Sequence, residues 1–171
     1  MLKLIFIAFI KYLPAMIANG VPVFIRKGTP IDRGKKFIDG RRVLGDGKTW
    51  EGLIIGSIFS ISIGMVYYII LENKYLILYS LVLGIGALLG DIIASFIKRR
   101  LGIPRGAPLP VLDQVNFILG STAVVKIFRV DELAFMTITL VDFIIILFIA
   151  SILHVTTNYI AFKLGLKNVP W

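Results

Sequence analysis

The chain has 171 residues, 57% of them hydrophobic, with a formal charge of +9, one histidine and no cysteine. Its mean hydropathy of +0.89 lies far above that of soluble domains, so a bilayer is its solvent, and the length leaves no room for a separate soluble domain. Disulfide frameworks, thiolate catalysis and zinc sites built on several imidazoles are excluded; any metal is a hard cation held by Asp, Glu, Asn and water, for which magnesium is the natural choice.

Five apolar stretches of spanning length fall at residues 2–18, 50–71, 75–97, 111–127 and 134–162, separated by polar loops at 19–49 and 98–110. They predict an all-α polytopic membrane protein with about five transmembrane helices, forming one integral membrane domain over residues 1–171. The first stretch holds Lys11 and Pro14 and lacks a small-residue cleavage pattern, so it reads as a span and not as a signal peptide. Lys11 has two destinations open to it, a cavity or a helix partner.

The loop after it carries Gly45-Asp46-Gly47-Lys48-Thr49-Trp50-Glu51-Gly52. Its glycines let backbone amides approach an anion, Lys48 adds a compact positive charge, and Glu51 is placed to hold that lysine or a metal ion. This is phosphate-binding chemistry beside lipid. Asn19, at the end of the first span, has two equal roles open to it: capping the helix or touching a nucleotide.

In the second span Gly52, Gly56, Ser60 and Gly64 recur every fourth residue, and Gly86 and Gly90 repeat the device in the third. Such stripes let another helix pack closely, within the chain or in a homodimer. Asp91 follows at once, and a carboxylate in an apolar span costs several kcal/mol unless it meets partners, water or a metal. Asp91, Ser95, Lys98 and Arg99 fall on one helix face. An internal Asp91–Lys98 ion pair is the simplest alternative use of that face.

A second carboxylate, Asp113, stands three residues after Pro110 at the opening of the fourth span, where an acid also suits a helix dipole. The third and fourth spans are neighbours, so Asp91 and Asp113 are expected to converge at similar depth, with Asn116 nearby. Two carboxylates, an amide and water are what a magnesium ion on a triphosphate requires. Lys48, Lys98, Arg99 and Arg105 surround the pair, with Arg41 and Arg42 upstream; Arg26, Lys27, Lys35, Lys36 and Arg100 read as contacts to anionic lipid.

The last stretch, at 29 residues and about 43 Å of helix, is too long for a core of about 30 Å, so it tilts, bends or begins as an interfacial piece. Asp142 there is expected to be neutralised by Lys126 or Arg129. His154 and Asn158 share a face and read as a polar pair among helices, with the cavity as the other option. Fourteen of the nineteen basic residues fall on one side, which places the N-terminus outside, the C-terminus in the cytosol and the polar cavity facing the cytosol of a multi-pass cell-membrane protein. That one-sided distribution points to membrane lipids and a polyphosphate substrate, not to nucleic acid.

Lys48-Thr49-Trp50-Glu51-Gly52 resembles a signature of the CTP:phosphatidate cytidylyltransferases, the CDP-diacylglycerol synthases. Gly90-Asp91, Lys98-Arg99 and Leu109-Pro110 followed by Asp113 resemble that family's second signature, in the right order. The glycine-rich insert after the proline is missing, the expected arginine is Gln114 and the last aspartate is Asn116. The short length and the stretches Pro30-Ile31-Asp32-Arg33-Gly34-Lys35 and Asp39-Gly40-Arg41-Arg42-Val43-Leu44-Gly45-Asp46-Gly47 are similar to the archaeal branch, the CDP-archaeol synthases. The resemblance implies that CTP and an isoprenoid ether-lipid phosphate, 2,3-di-O-geranylgeranylglycerol 1-phosphate, are joined with release of pyrophosphate, with Mg2+ required. On that reading Asp91, Asp113 and Asn116 hold the metal. Lys48, Glu51, Lys98 and Arg99 act on the phosphates, and Asn19, Gly45, Asp46, Gly47, Thr49 and Ser95 join Lys48, Lys98 and Arg99 around the nucleotide.

Two rivals stand beside it. A CDP-alcohol phosphatidyltransferase would carry a longer array of aspartates at four-residue spacing, and none stands at 50 or 54. A transporter or binder of phosphorylated lipid substrates would show duplicated halves and polarity through the full bilayer depth.

Overall fold

The computed structural model describes the chain except residues 26, 110, 167, 168 and 171 and the side chain of His154. The expectations placed on Arg26, Pro110, Lys167 and the His154 side chain therefore lie outside the described residues. Among the described residues six helices follow one another: α1 (Leu2–Gly20), α2 (Trp50–Leu71), α3 (Tyr75–Arg100), α4 (Leu112–Phe128), the single turn α5 (Val130–Leu133) and α6 (Leu140–Lys163). A one-turn 3-10 helix, Val21–Phe24, continues α1.

Among the described residues four helices, not five, are long and apolar enough to cross a membrane: Leu2–Phe24, Trp50–Leu71, Tyr75–Arg100 and Leu140–Lys163. The expected fourth span, residues 111–127, corresponds to α4, a helix of the same 17 residues' length that ends where Arg129 takes the left-handed region. The last span is shorter than expected. Thr139, extended, accepts from the Asp142 amide while Asp142 reaches back to Thr139, and this reciprocal cap starts α6 at Leu140 instead of Ala134. Its 24 residues make about 36 Å of helix, which leaves only a small excess that a modest tilt absorbs. Large apolar side chains such as Ile54, Ile58, Ile69, Phe148 and Ile144 point outward, as lipid-facing helices require.

Pro14 lies inside α1 and has no amide to give to the Ile10 carbonyl. The Tyr67 hydroxyl of α2 donates to that carbonyl instead at 2.6 Å, and the Tyr79 hydroxyl of α3 donates to the Lys11 carbonyl at 2.8 Å. Two tyrosines thus satisfy the backbone that the proline loosens, where no water is on hand to do so. Lys11 itself donates to Asp142 and to the Thr137 carbonyl, both at 2.7 Å. Asp142 is therefore neutralised by Lys11, across 131 residues of chain, and not by the expected Lys126 or Arg129, which pair locally with Asp131 and Glu132.

The glycine stripes are used within the chain. A side chain at Gly56 would meet the Ala18 carbonyl at 2.7 Å, and one at Gly64 would meet Ser80 and the Ile77 backbone at 2.8 and 2.9 Å. Between α3 and α4 the backbones nearly touch, since a Cβ on Gly90 would lie 2.3 Å from the Asn116 carbonyl oxygen and one on Gly86 2.7 Å from Ser121 Cα. The small residues of both stripes are buried by these contacts, so they offer no surface for a homodimer.

Gly90→Ala is accordingly expected to cost about 1–3 kcal/mol, seen as a lower thermal unfolding midpoint in detergent. Gly20→Ala, whose added Cβ meets nothing within 4 Å, should leave that midpoint unchanged. Equal midpoints for the two variants would contradict the close α3–α4 contact.

Candidate functional site

At the basic end of α3 lies a cavity of about 780 Å3, bounded by the loop before α2, the α3 face, the segment 105–107, the start of α4 and the C-terminal tail. Helical periodicity aims Asp91, Ser95, Lys98 and Arg99 into it, and α4 adds Asp113 and Asn116 from across the glycine contact. Asp46, Gly47, Lys48 and Thr49 come from the loop. Leu53, Leu88 and Ile92, with Val23 and Ile25, make an apolar side.

The charges pair off across elements. Lys48 is bound to Asp91, joining the loop to α3. Lys98 donates to both Asp113 oxygens, at 2.9 and 2.7 Å, joining α3 to α4. The alternative Asp91–Lys98 pair is not formed, because each acid meets a lysine from another element. Asp113 also accepts from the Leu109 amide at 2.8 Å, so its role at the helix start and its place in the cavity coexist. Two groups are left over: the Arg99 Nε and the Asn116 Oδ1 are buried without a hydrogen-bond partner.

Several expected site residues lie elsewhere or do something else. Glu51 accepts from the Thr29 amide at 2.7 Å and from the Thr29 hydroxyl at 2.8 Å, so it ties the loop's two ends together and does not hold Lys48. Gly45, with φ +92°, gives its amide to Asp32 at 2.9 Å instead of to an anion, and it does not line the cavity. Asn19 lies inside the last turn of α1, away from the cavity lining. Thr49 lines the cavity and also caps α2, accepting from the Gly52 amide at 3.1 Å. Asn158 is not part of the lining. Arg100, expected at lipid head groups, instead binds Asp39 at 2.6 Å and the Arg42 carbonyl at 2.5 Å, with its guanidinium over the Phe37 and Phe96 rings.

Asp32 is the residue that sequence reasoning missed. Its buried carboxylate accepts from Arg42 Nη2 at 2.6 Å and Nε at 3.1 Å, and from the amides of Gly34, Leu44 and Gly45 at 3.2, 3.0 and 2.9 Å. Arg42 continues to Asp46 at 2.9 Å, and Arg105 stands 3.9 Å from the same acid. The only local signal was Asp32-Arg33-Gly34, an acid two residues before a glycine, which favours a turn closed by the side chain. Its partners ten to thirteen residues onward carry no such signal. Among the described residues no group of three or more His, Asp or Glu side chains is gathered for a metal ion.

A family model described as CarS-like, CDP-archaeol synthase, matches residues 1–171. A CDP-archaeol synthase of Sulfolobus acidocaldarius is 48% identical over 162 residues, covering 95% of each chain. One of Sulfurisphaera tokodaii is 44% identical over 164 residues, covering 96% of this chain and 95% of that one. A solved structure of an intramembrane enzyme for archaeal membrane lipid biosynthesis superposes with a TM-score of 0.77 at 42% identity, over 88% of this chain and 92% of its own.

The Arg42 guanidinium, followed by the three amides, holds the Asp32 carboxyl well below the usual carboxylate range. Because the folded pKa is depressed, the contribution of Asp32 to the loop is complete above the ordinary carboxylate pKa and is lost only as pH falls through the lowered one. The Leu44 and Gly45 amide resonances of selectively labelled protein should therefore stay in place from about pH 7 to about pH 4. A titration centred near the ordinary aspartate value would contradict this latch.

Proposed function

The chain belongs to the CDP-archaeol synthase family, and from that premise we propose that the cavity between the loop, α3 and α4 is where its chemistry takes place. The protein is a multi-pass membrane enzyme, a CTP-utilising cytidylyltransferase that forms CDP-archaeol in ether-lipid biosynthesis. The observation that carries the assignment of the site is the meeting of Lys48, Asp91, Lys98, Arg99 and Asp113 in one cavity with an apolar side.

In the proposed reaction an oxygen of the lipid phosphate attacks the α-phosphorus of CTP. The new P–O bond forms in line with the bond to the bridging oxygen, which breaks, and pyrophosphate leaves with the bonding electrons. The lipid phosphate is largely ionised near neutral pH, so no general base is required. Lys48, Lys98 and Arg99 neutralise the charge that builds on the phosphoryl oxygens and the departing pyrophosphate. Arg99 suits that task because its buried Nε has no hydrogen-bond partner within the protein. The apolar wall of Leu53, Leu88 and Ile92 gives the isoprenoid ether lipid, proposed as 2,3-di-O-geranylgeranylglycerol 1-phosphate, a place beside the polar half.

A cytidylyltransferase of this type works with a divalent metal, and Mg2+ is the proposed ion. The donor set fits it: Asp91 and Asp113 supply hard oxygens, and the unpartnered Asn116 oxygen supplies a third. Bound there, the ion would neutralise triphosphate charge. A metal–triphosphate complex suits the cavity as a whole, with phosphates for the lysines and a cation for the acids. Glu51, Gly45 and Asn19 have no part in this reading.

The proposed orientation has α4 as a fifth, short crossing, the N-terminus outside, and the C-terminus and cavity on the cytosolic side, where the basic residues gather. Neither rival is favoured by any observation.

With purified protein, CTP and Mg2+, pyrophosphate release should depend on an ether-linked isoprenoid glycerol phosphate and stop on chelation of the metal. Asp91→Asn should lower the rate by at least about a hundredfold and Lys48→Met by a similar factor, with both variants still folded in detergent. A near wild-type rate for Asp91→Asn at saturating Mg2+ would remove that residue from the metal site.

A further inference from the structure

Asp32 does not line the cavity, yet its carboxylate binds the stretch of loop that runs into the lining residues Leu44 and Asp46 to Thr49. It closes the turn at Gly34, grips Arg42 with two bonds and binds the Leu44 and Gly45 amides, so four points of the segment 34–45 converge on one carboxylate. Arg42 then carries the constraint forward to Asp46, two residues before Lys48. On the far side, the Ile31 amide donates to the Lys48 carbonyl at 2.9 Å, and the Trp50 amide donates to the Thr29 carbonyl at 3.0 Å. Lys48 is thus held from both directions, by Asp32 through Leu44–Asp46 and by the pairing of residues 29–31 with 48–50.

This arrangement has a direct bearing on charge placement. Between residues 34 and 47 the loop has four glycines, at 34, 40, 45 and 47, three of which take positive φ, so its unrestrained backbone has many conformations available. A lysine on such a loop would spend most of its time away from any one point, and ordering it on binding would cost affinity. A buried carboxylate with five donors removes that freedom in advance. We propose that Asp32 is a positioning residue for the nucleotide: it fixes the glycine-rich loop so that Lys48 is already aimed into the cavity, and its effect on CTP is exerted through Lys48.

This inference rests on the reading of Lys48 under Proposed function, and a double-mutant cycle separates the two. Equilibrium binding of labelled CTP in Mg2+ buffer is measured for wild type, Asp32→Asn, Lys48→Met and the double variant. Asp32→Asn retains the shape of the side chain while removing its charge. If Asp32 acts through Lys48, Asp32→Asn should weaken CTP about tenfold in the presence of Lys48 and by less than about threefold in its absence. Hydrogen exchange at the Leu44–Lys48 amides should rise in Asp32→Asn, while amides within α2, α3 and α6 remain protected.

A double variant as weak as the product of the two single effects would overturn the positioning role and leave Lys48 a nucleotide contact. An Asp32→Asn variant with unchanged CTP affinity would overturn it as well. Lys48→Met with wild-type affinity would instead remove the assignment of Lys48 itself. Should Asp32→Asn lose protection throughout the helices, Asp32 is a general stability residue, and the inference fails.

Discussion

The site depends on how closely α3 and α4 approach. Gly86 and Gly90 bring the α3 backbone against Ser121 and the Asn116 carbonyl with no side chain between. The consequence for chemistry is immediate, because Asp91 follows Gly90 and Asn116 lies one helical turn from Asp113. Where a Cβ would force the helices apart, the acids of the two helices would no longer share one cavity. Close packing through small residues, a general device for associating helices in lipid, here also sets the depth and separation of charged groups.

Given that approach, electrostatics does the rest. A lone carboxylate at this depth would be costly, and each of the two has a lysine from a different element. The pairs make the cavity nearly self-neutral while leaving Arg99 Nε and Asn116 Oδ1 without partners. Those two atoms, one donor and one acceptor, are what an incoming phosphate oxygen and a cation would satisfy. The opposite half of the bundle follows the same rule with no chemistry attached: Lys11 and Asp142 pair, and Tyr67 and Tyr79 satisfy the carbonyls near Pro14. Polar groups thus occur at both ends of the bundle, and at the basic end of α3 they line a cavity of about 780 Å3.

What could be read from the sequence was what helical periodicity governs. Asp91, Ser95, Lys98 and Arg99 share a face by spacing alone, and the glycine stripes mark which faces touch. Irregular backbone hid the remainder. Glu51 meets Thr29 across 22 residues and Asp32 meets Gly45 across 13, and no periodic pattern announces either bond. The start of α6 was written as Thr139 followed three residues later by Asp142, but continuous hydropathy from Ala134 masked the cap. The partner of Asp142 was misassigned because proximity in sequence favoured Lys126 and Arg129, whereas the helix bundle brought Lys11 to it.

Asp91 and Asp113, drawn together by the α3–α4 contact, are the proposed ligands of a metal–nucleotide complex. Anomalous diffraction from crystals grown with Mn2+ and CTP tests this assignment most directly. The manganese peak should lie between those two carboxylates, within coordination distance of both. A peak at the acids of the loop before α2, Asp39 or Asp46, with none between Asp91 and Asp113, would contradict it.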